Sequence, residues 1–179
     1  FCRSFGRERH LFMFFDRLGV WEKVSRFKIL HISPERHVRR RVNEIGPKEY
    51  VQGDILPWDA QITKVDVTRL DFPPDYFDFV ICNHVLEHVQ NDGAAMRELF
   101  RVLKKGGHAV LQTPFSRVLK YTFQDPGINS DELRRKFYGE TVHYRVYGED
   151  LLDKLKAVGF DLMIVKHSEY FSDHESRYY

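Results

Sequence analysis

The sequence has few cysteines and no long apolar run. Its 179 residues include two cysteines, Cys2 and Cys82, which lie far apart, so a disulfide framework is not expected. No apolar stretch approaches the roughly 18 residues of a membrane-spanning helix, and no secretory signal is evident. These absences argue against membrane-spanning helices and a disulfide-rich scaffold, and they favour the reducing cytoplasm as the location.

The sequence also lacks a strong charge of either sign. Its formal net charge is +2, from 28 Lys and Arg against 26 Asp and Glu. A basic cluster at residues 36–41 is more typical of a solvated helix face than of a phosphate-binding patch. No basic stripe interleaved with aromatic residues is present, so a nucleic-acid partner is not expected. A hydrophobic content of 42% is instead typical of one globular domain with a buried core.

Apolar runs that alternate with helical patterns predict a single α/β domain over residues 1–179. The alternation implies a Rossmann-like, doubly wound and mostly parallel sheet. An N-terminal helical segment, about 1–26, is expected to cover one face of the sheet. Residues 115–147 are too long for a simple connection, so we expect a lid or substrate wall there. The predicted strands are residues 28–32, 49–52, 62–65, 77–82, 108–113 and 160–166, and the helices are residues 7–21, 36–45, 92–103, 130–137 and 149–158.

Polar side chains follow several of these predicted strands. Asp54 follows the second strand, Asp66 the third, and Asn83 and His84 the fourth. Ligands of open α/β sheets bind beyond the carboxyl ends of the strands, and a carboxylate there can accept both hydroxyl groups of a ribose. The pattern therefore predicts a small-molecule site at this edge, but the layout alone does not name the ligand.

Residues 66–114, DVTRLDFPPDYFDFVICNHVLEHVQNDGAAMRELFRVLKKGGHAVLQTP, resemble the second half of a class I S-adenosylmethionine (SAM)-dependent methyltransferase of the type 11 kind. The resemblance implies SAM as the cofactor. It implies that Asp54 binds the ribose of SAM and that Asp66, with the backbone amide of Val67, binds the adenine. Asn83 and His84 would then lie under the methionine part.

The loop after the first strand departs from the usual pattern of this family. Most members carry a Gly-rich loop there, whereas this chain has His-Ile-Ser-Pro-Glu at residues 31–35. The chain is similar to a subgroup with an LHIAPE-like loop, which also shares the RxRH, NHVLEH and HxRxYG motifs. The resemblance places Ser33, Pro34 and Glu35 at the cofactor. Glu35 either binds the aminium group of SAM or stabilises a helix N-terminus through the macrodipole.

The subgroup often begins with a Cys-x-x-Cys pair, of which Cys2 would be the second member. One cysteine with His10 is too few ligands for zinc, so no metal site is expected.

The chemistry implied by the resemblance is transfer of an activated methyl group to an oxygen or nitrogen nucleophile of a small molecule. Because such a nucleophile can require a base, His84, His88 and His143 are candidate bases, and His84 and His143 are the predicted catalytic residues. His143, Tyr144, Arg145 and Tyr147 are expected to face the substrate. The alternative for each histidine is a structural hydrogen bond, and the alternative for Arg145 is an ion pair with a carboxylate.

Two other functions stay open. The chain can be a SAM-fold binding module without catalysis, which the glycine-free first loop suggests. His84-x-x-Glu87-His88 also matches the inverted zincin motif of metallopeptidases, although His84 follows directly from a predicted strand. Methyltransferases of this class usually end with an antiparallel strand, for which few residues remain after Lys166. An edge left open in this way would favour a partner or a homo-oligomer.

Overall fold

The structure, a computed structural model, describes residues 6–165 and 167–171, so Cys2 lies outside the described residues. A 3-10 turn, Leu86–His88, lies between the fourth strand and the helix that follows it. No helix among the described residues is both long and apolar enough to cross a membrane. The elements in chain order are α1 (Gly6–Arg17), α2 (Trp21–Val24), β1 (Lys28–Ile32), α3 (Arg36–Ile45), β2 (Glu49–Asp54), β3 (Thr63–Lys64), β4 (Phe77–Asn83), α4 (Asp92–Val102), β5 (Leu103–Gln112), α5 (Asp131–Tyr138), α6 (Asp150–Val158) and α7 (His167–Tyr170).

The five strands form one parallel sheet in the order β3-β2-β1-β4-β5. The chain runs outward from β1 to β3 and then returns to place β4 on the other side of β1. Strand order therefore reverses between β1 and β4, which is where open α/β sheets bind their ligands. The predicted fold class, a Rossmann-like α/β fold with a parallel sheet, is confirmed.

Helices cover both faces of the sheet because the buried side chains of each strand alternate between them. In β1, Ile29 packs with residues of α1 and α3, while Leu30 and Ile32 pack with residues of α4 and α6. Strand β4 reads as a nearly continuous apolar run since both of its faces are buried. Its Cys82 is a buried free thiol, and burial raises the pKa of this thiol.

The first predicted helix ends earlier than expected. Helix α1 stops at Arg17, and Gly19 adopts a left-handed φ of +62°. Trp21 then begins α2 and is buried against the α1 side chain Phe15, with ring centroids 4.8 Å apart. Trp21 therefore belongs to a second short helix. It packs in the same apolar cluster as α1, so its spacing in the sequence resembles that of one long helix.

The predicted strand over residues 160–166 is wrong for residues 160–165, and Lys166 lies outside the described residues. Phe160 packs edge-on against Phe100 of α4, with ring centroids 5.1 Å apart. Leu162 adds to the apolar core, while Met163 is 74% exposed. The apolar residues for which a strand was predicted therefore pack in part near α4, without pairing to β5.

Candidate functional site at the carboxyl edge of the sheet

The register of the strands brings the expected cofactor residues to one edge. Ile32 of β1 pairs with Gly53 of β2 and with Cys82 of β4. The next residues along these three strands are Ser33, Asp54 and Asn83, which therefore lie at the same level of the sheet. Sequence reasoning placed each of them at a strand end, and the parallel register is what makes them neighbours.

The first loop reaches a left-handed conformation without glycine. Ser33 has a φ of +50°, and its amide donates to the Gly53 carbonyl at 2.7 Å. A non-glycine residue in this conformation costs roughly 1–2 kcal/mol, and such residues concentrate at functional sites. Pro34 is buried behind Ser33, which is exposed. The loop thus adopts a left-handed backbone conformation with a serine in place of a glycine.

Glu35 is fixed by a buried histidine. His31, which is fully buried, donates from Nε2 to Glu35 Oε2 at 2.7 Å and accepts from the Tyr50 hydroxyl group through Nδ1 at 2.8 Å. Burial alone would raise the pKa of the Glu35 carboxyl, but the His31 contact outweighs it and holds this pKa below its usual value. Glu35 precedes α3 and makes no capping hydrogen bond through its side chain. The side chain is therefore oriented by His31 rather than by the helix terminus.

Asn83 is the buried polar group that most needs a partner. It is 2% exposed, and neither its Oδ1 nor its Nδ2 has a hydrogen-bond partner among the described residues. Asn83 lies near enough to Glu35 to lower the pKa of that carboxyl further, in a geometry too loose for a hydrogen bond. An orphaned buried amide costs about 1–3 kcal/mol. Asn83 and Glu35 together fit a ligand that carries both an ammonium and a carboxylate.

Asp54 is the last residue of β2, and Asp66 lies two residues after the neighbouring strand β3. The Asp54 carbonyl accepts from the Val65 amide at 2.9 Å, which keeps the two strand ends together. Oδ1 of Asp54 accepts from the Leu56 amide, and Oδ1 of Asp66 accepts from the Thr68 amide and hydroxyl group. In each carboxylate, Oδ1 accepts from the turn that follows it, whereas Oδ2 takes no part in these hydrogen bonds. Val67, the residue after Asp66, is buried.

His84 and Glu87 form a second polar group directly after β4. His84 has a φ of +52°, and its amide donates to the Gln112 carbonyl at 2.7 Å. Its Nδ1 lies 3.4 Å from Oε1 of Glu87, whose side chain is 1% exposed. Oε2 of Glu87 accepts from the Thr113 hydroxyl group at 2.9 Å. Burial by itself raises the pKa of the Glu87 carboxyl, but the nearby His84 ring, the backbone of Glu87 and the bond from Thr113 together hold the pKa below the usual value.

Residues 115–147 bring His143 to this group. The rings of His88 and His143 meet edge to face, with centroids 4.7 Å apart. The amide of Tyr144 donates to the Glu87 carbonyl at 2.8 Å, which fastens the segment to the 3-10 turn. Burial lowers the pKa of His88. The structure therefore gathers His84 and His143 around Glu87, a residue that sequence reasoning considered only within the zincin motif.

The inverted zincin motif does not form. It requires both of its histidines on one face of a helix, whereas His84 has a left-handed φ and the 3-10 turn covers only Leu86–His88. A metallopeptidase site of that kind is therefore not supported.

Arg145 and Tyr147 do not lie on an open substrate surface. Arg145 is 1% exposed and Tyr147 is fully buried. The guanidinium of Arg145 donates to the carbonyls of Leu86, Val89 and Gln90, and the Tyr147 hydroxyl group donates to Asp92 Oδ2 at 2.8 Å. Both side chains donate hydrogen bonds to the Leu86 carbonyl and thereby stabilise the 3-10 turn. Their polar chemistry was visible in the sequence, but their burial was not.

A separate shallow depression lies along α5 and is lined mainly by exposed charged side chains. None of the expected cofactor residues lines it. Its lining residues are Asp131, Glu132, Arg135, Lys136 and Thr141.

Comparison with known proteins identifies the family. A family model described as a methyltransferase domain matches residues 20–111, which are 92 of the 179 residues. The chain belongs to this family. UbiE of Bordetella avium, a ubiquinone/menaquinone biosynthesis C-methyltransferase, is 31% identical over 122 residues, covering 61% of this chain and 46% of that protein. The chain thus spans about half the length of the curated relatives it matches.

Solved structures agree on the fold. A SAM-dependent methyltransferase from Mesorhizobium loti superposes with a TM-score of 0.65 at 18% identity, covering 93% of this chain and 88% of that one. Phosphoethanolamine N-methyltransferase 2 of Haemonchus contortus, in complex with phosphomonomethylethanolamine and S-adenosylhomocysteine, gives a TM-score of 0.56 at 16% identity. It covers 81% of this chain and 37% of that one. The prediction of a class I SAM-dependent methyltransferase is confirmed at the level of family and fold.

Proposed function

We propose that this protein binds SAM across the carboxyl edge of its sheet and transfers the methyl group to an oxygen or nitrogen of a small molecule. The observation that carries the proposal is the alignment of Ser33, Asp54 and Asn83 at the point where strand order reverses, with Asn83 buried and unpartnered among the described residues. When bound, SAM supplies a methyl group that its sulfonium has already activated.

Each expected cofactor residue has a role that its surroundings support. Glu35, held by His31, would bind the aminium group, and the Asn83 amide would donate to the carboxylate. Asp54 and Asp66 each offer Oδ2, for the ribose hydroxyl groups and for the adenine amine respectively. Val67 would contribute its backbone amide beside Asp66.

The histidines beside this edge supply acid–base chemistry. His84, oriented by its contact with Glu87, would accept the proton that an oxygen or nitrogen acceptor loses. His143 and Tyr144, from the segment 115–147, would contact the acceptor, and this segment would act as the lid. The proposed acceptor is a small molecule in the cytoplasm. We also propose that the protein forms a homo-oligomer.

The curated relatives favour a second kind of acceptor. They are named C-methyltransferases of ubiquinone and menaquinone biosynthesis. A carbon acceptor is therefore the second candidate, and His84 would accept the proton that this carbon loses.

Cofactor binding tests the proposal through Asp66→Asn. Asparagine keeps the oxygen that accepts from Thr68 but removes the charge, so we expect affinity for S-adenosylhomocysteine to fall about 10–100-fold, as for other hydrogen bonds to charged groups. Isothermal titration calorimetry measures this change.

The exposed neighbour Asp71 provides the matched control. Asp71→Asn should bind like the unchanged protein. Equal affinity in Asp66→Asn and the unchanged protein would contradict the site. An absence of binding heat with both SAM and its demethylated product would favour the non-catalytic module that the first loop suggested.

A further inference from the structure

Two histidines and a buried carboxylate converge at the junction of the 3-10 turn and the segment 115–147. Ligand atoms of Glu87, His88 and His143 all lie within 4.8 Å of one another. Glu87 and His88 come from the turn Leu86–His88, whereas His143 arrives from more than fifty residues later in the chain. Two imidazoles with one carboxylate form a donor set that suits Zn²⁺ and Fe²⁺.

The outer contacts of the two histidines resemble those of metal ligands. Nδ1 of His88 donates to the Val142 carbonyl, and Nδ1 of His143 donates to the Tyr138 carbonyl, both at 3.3 Å. A carbonyl oxygen can only accept, so each bond fixes the tautomer and leaves the lone pair on Nε2. Histidines that bind metals usually donate their other ring nitrogen in this way.

Glu87 provides the independent observation. Its side chain is 1% exposed, yet Oε1 has no hydrogen-bond partner among the described residues. This oxygen lies 3.4 Å from His84 Nδ1 and 4.0 Å from His88 Nε2. Oε2 is already bound by Thr113, which orients the carboxylate so that Oε1 faces the histidines. A buried carboxylate oxygen left without a donor is stable when a cation lies beside it.

We propose that Glu87, His88 and His143 bind a divalent transition-metal ion, with Zn²⁺ as the probe. Tetrahedral zinc would bring its ligand atoms to about 3.4 Å from one another, a contraction of roughly 1 Å that side-chain rotation can supply. The side chain of His88 is 36% exposed, so a fourth position remains open to water or to an acceptor oxygen. This position would polarise the acceptor directly beside the cofactor edge.

A metal ion at this site changes which histidine can act as the base in the proposed methyl transfer. This part of the inference rests on the proposed function. Nε2 of His143 becomes a ligand, so His84 is the histidine left to accept a proton. The metal also ties the segment 115–147 to the 3-10 turn through side chains, in addition to the backbone bond from Tyr144 to Glu87.

Metal binding itself is tested without any activity assay. The purified protein, stripped with a chelator, is titrated with Zn²⁺ by calorimetry and by competition with a chromogenic chelator. We expect one equivalent to bind. Glu87→Gln and His143→Ala should each weaken binding at least about 100-fold, because even outer contacts of metal ligands contribute about 10–100-fold. Glutamine keeps an oxygen that accepts from Thr113, so this variant should retain the fold.

An exposed histidine on β5 provides the matched control, since His108→Ala removes an imidazole far from the three ligands in sequence. It should bind Zn²⁺ like the unchanged protein. Thermal melting with and without Zn²⁺ should show a rise in melting temperature for the unchanged protein and His108→Ala only.

Three results would overturn the metal site: no stoichiometric binding, undiminished binding by folded Glu87→Gln and His143→Ala, or an equal loss in His108→Ala. The S-adenosylhomocysteine titration is run on the same stripped protein. Cofactor binding without zinc binding rejects the metal site alone, and zinc binding without cofactor binding rejects the proposed function alone.

Discussion

Arg145 shows how one buried cation can organise a functional turn. Its guanidinium donates to three carbonyls and to Gln124 Oε1, and it lies 3.6 Å from a carboxylate oxygen of Asp92. These carbonyls belong to the 3-10 turn and its continuation, and the Leu86 carbonyl also accepts from the Val89 amide and the Tyr147 hydroxyl group. The side chain thus fixes the backbone that carries Glu87 and His88, and it acts on the site only through position.

Arg145→Lys should destabilise the protein although the charge is retained. A lysine ammonium cannot reach the carbonyls of Leu86, Val89 and Gln90 together, so buried acceptors lose their donors. We expect the free energy of unfolding to fall by about 2–3 kcal/mol. Urea denaturation measures the change.

The control is Arg40→Lys, because the side chain of Arg40 is 71% exposed. Its effect should stay within about 0.5 kcal/mol, as for most surface substitutions. Equal effects of the two substitutions would show that the hydrogen-bond fork of Arg145 is unimportant.

The two ends of the segment 115–147 are paired with each other by short backbone contacts rather than by regular strands. Phe115 and Phe123 form isolated bridges with Tyr147 and Val146, and the Ser116 amide donates to the Tyr147 carbonyl at 2.8 Å. Gly148 lies where the two ends of the segment cross. A Cβ there would lie 2.5 Å from the Leu119 carbonyl oxygen. This crossing positions His143, so the geometry of the site depends on it.

Gly148→Ala should loosen this crossing. The added methyl group would also meet the Tyr121 carbonyl oxygen at 2.8 Å, and backbone atoms cannot rotate away as a flexible side chain can. Overpacking of this kind costs about 1–3 kcal/mol. Hydrogen exchange should show faster exchange of amides in the segment 115–147, and denaturation should show the lower stability.

Gly93→Ala in α4 is the opposite case and serves as control. A Cβ there meets the mobile end of Arg97 at 3.4 Å and Asn91 Oδ1 at an ordinary contact distance of 3.8 Å. Alanine should therefore stabilise the helix by about 0.4–1 kcal/mol. A destabilised Gly93→Ala, or an unaffected Gly148→Ala, would contradict this account of the packing.

The stability of the whole molecule depends on carboxylates that join its elements. Asp78 of β4 accepts from the Lys28 amide of β1 and from the Lys104 ammonium of β5, at 2.8 and 2.6 Å. Burial by itself raises the pKa of Asp78, but these two donors outweigh it and hold the pKa below its usual value. The pKa of Glu98, beside Arg101, is lowered likewise, as is the pKa of Asp150, which accepts from Thr122.

Acid should therefore destabilise the fold in a defined window. Because the pKa of Asp78 is lower in the folded state than its ordinary value of 3.8, the unfolded chain binds the proton more readily. The contribution of Asp78 is fully present above this ordinary value and is lost as the pH falls through the folded value. Asp78→Asn should be less stable at pH 7 and should lose less stability between about pH 5 and pH 3.

Urea denaturation across this pH range tests the window, with Asp153→Asn, at an exposed position of α6, as control. The control should keep both the stability and the pH dependence of the unchanged protein. A steeper acid loss in Asp78→Asn would contradict the assigned sign.

Predictions from the sequence were accurate for helix α3 and for the starts of β1 and β4, whereas β5 begins at Leu103, five residues before the predicted residue 108. Helix α3 has the predicted bounds because Gly46 adopts the left-handed φ of +70° that ends it. Strands β1 and β4 began at the predicted residues since they are short apolar runs between turns. The strand predicted at residues 160–165 is an apolar run, but the neighbour of Phe160 in space is the Phe100 ring rather than a strand partner.

For the candidate site, too, some features follow from the sequence and others only from the tertiary structure. Sequence alone determined that acidic and amide side chains follow successive strands, because the order of residues along each strand is local, and the family resemblance supplied their expected ligand. Only the tertiary structure decided which of these groups meet. The parallel register aligned Ser33, Asp54 and Asn83, the crossing at Gly148 brought His143 to Glu87, and burial removed Arg145 from the surface. Contacts between residues distant in the chain depend on packing of whole elements, which no local pattern of side chains specifies.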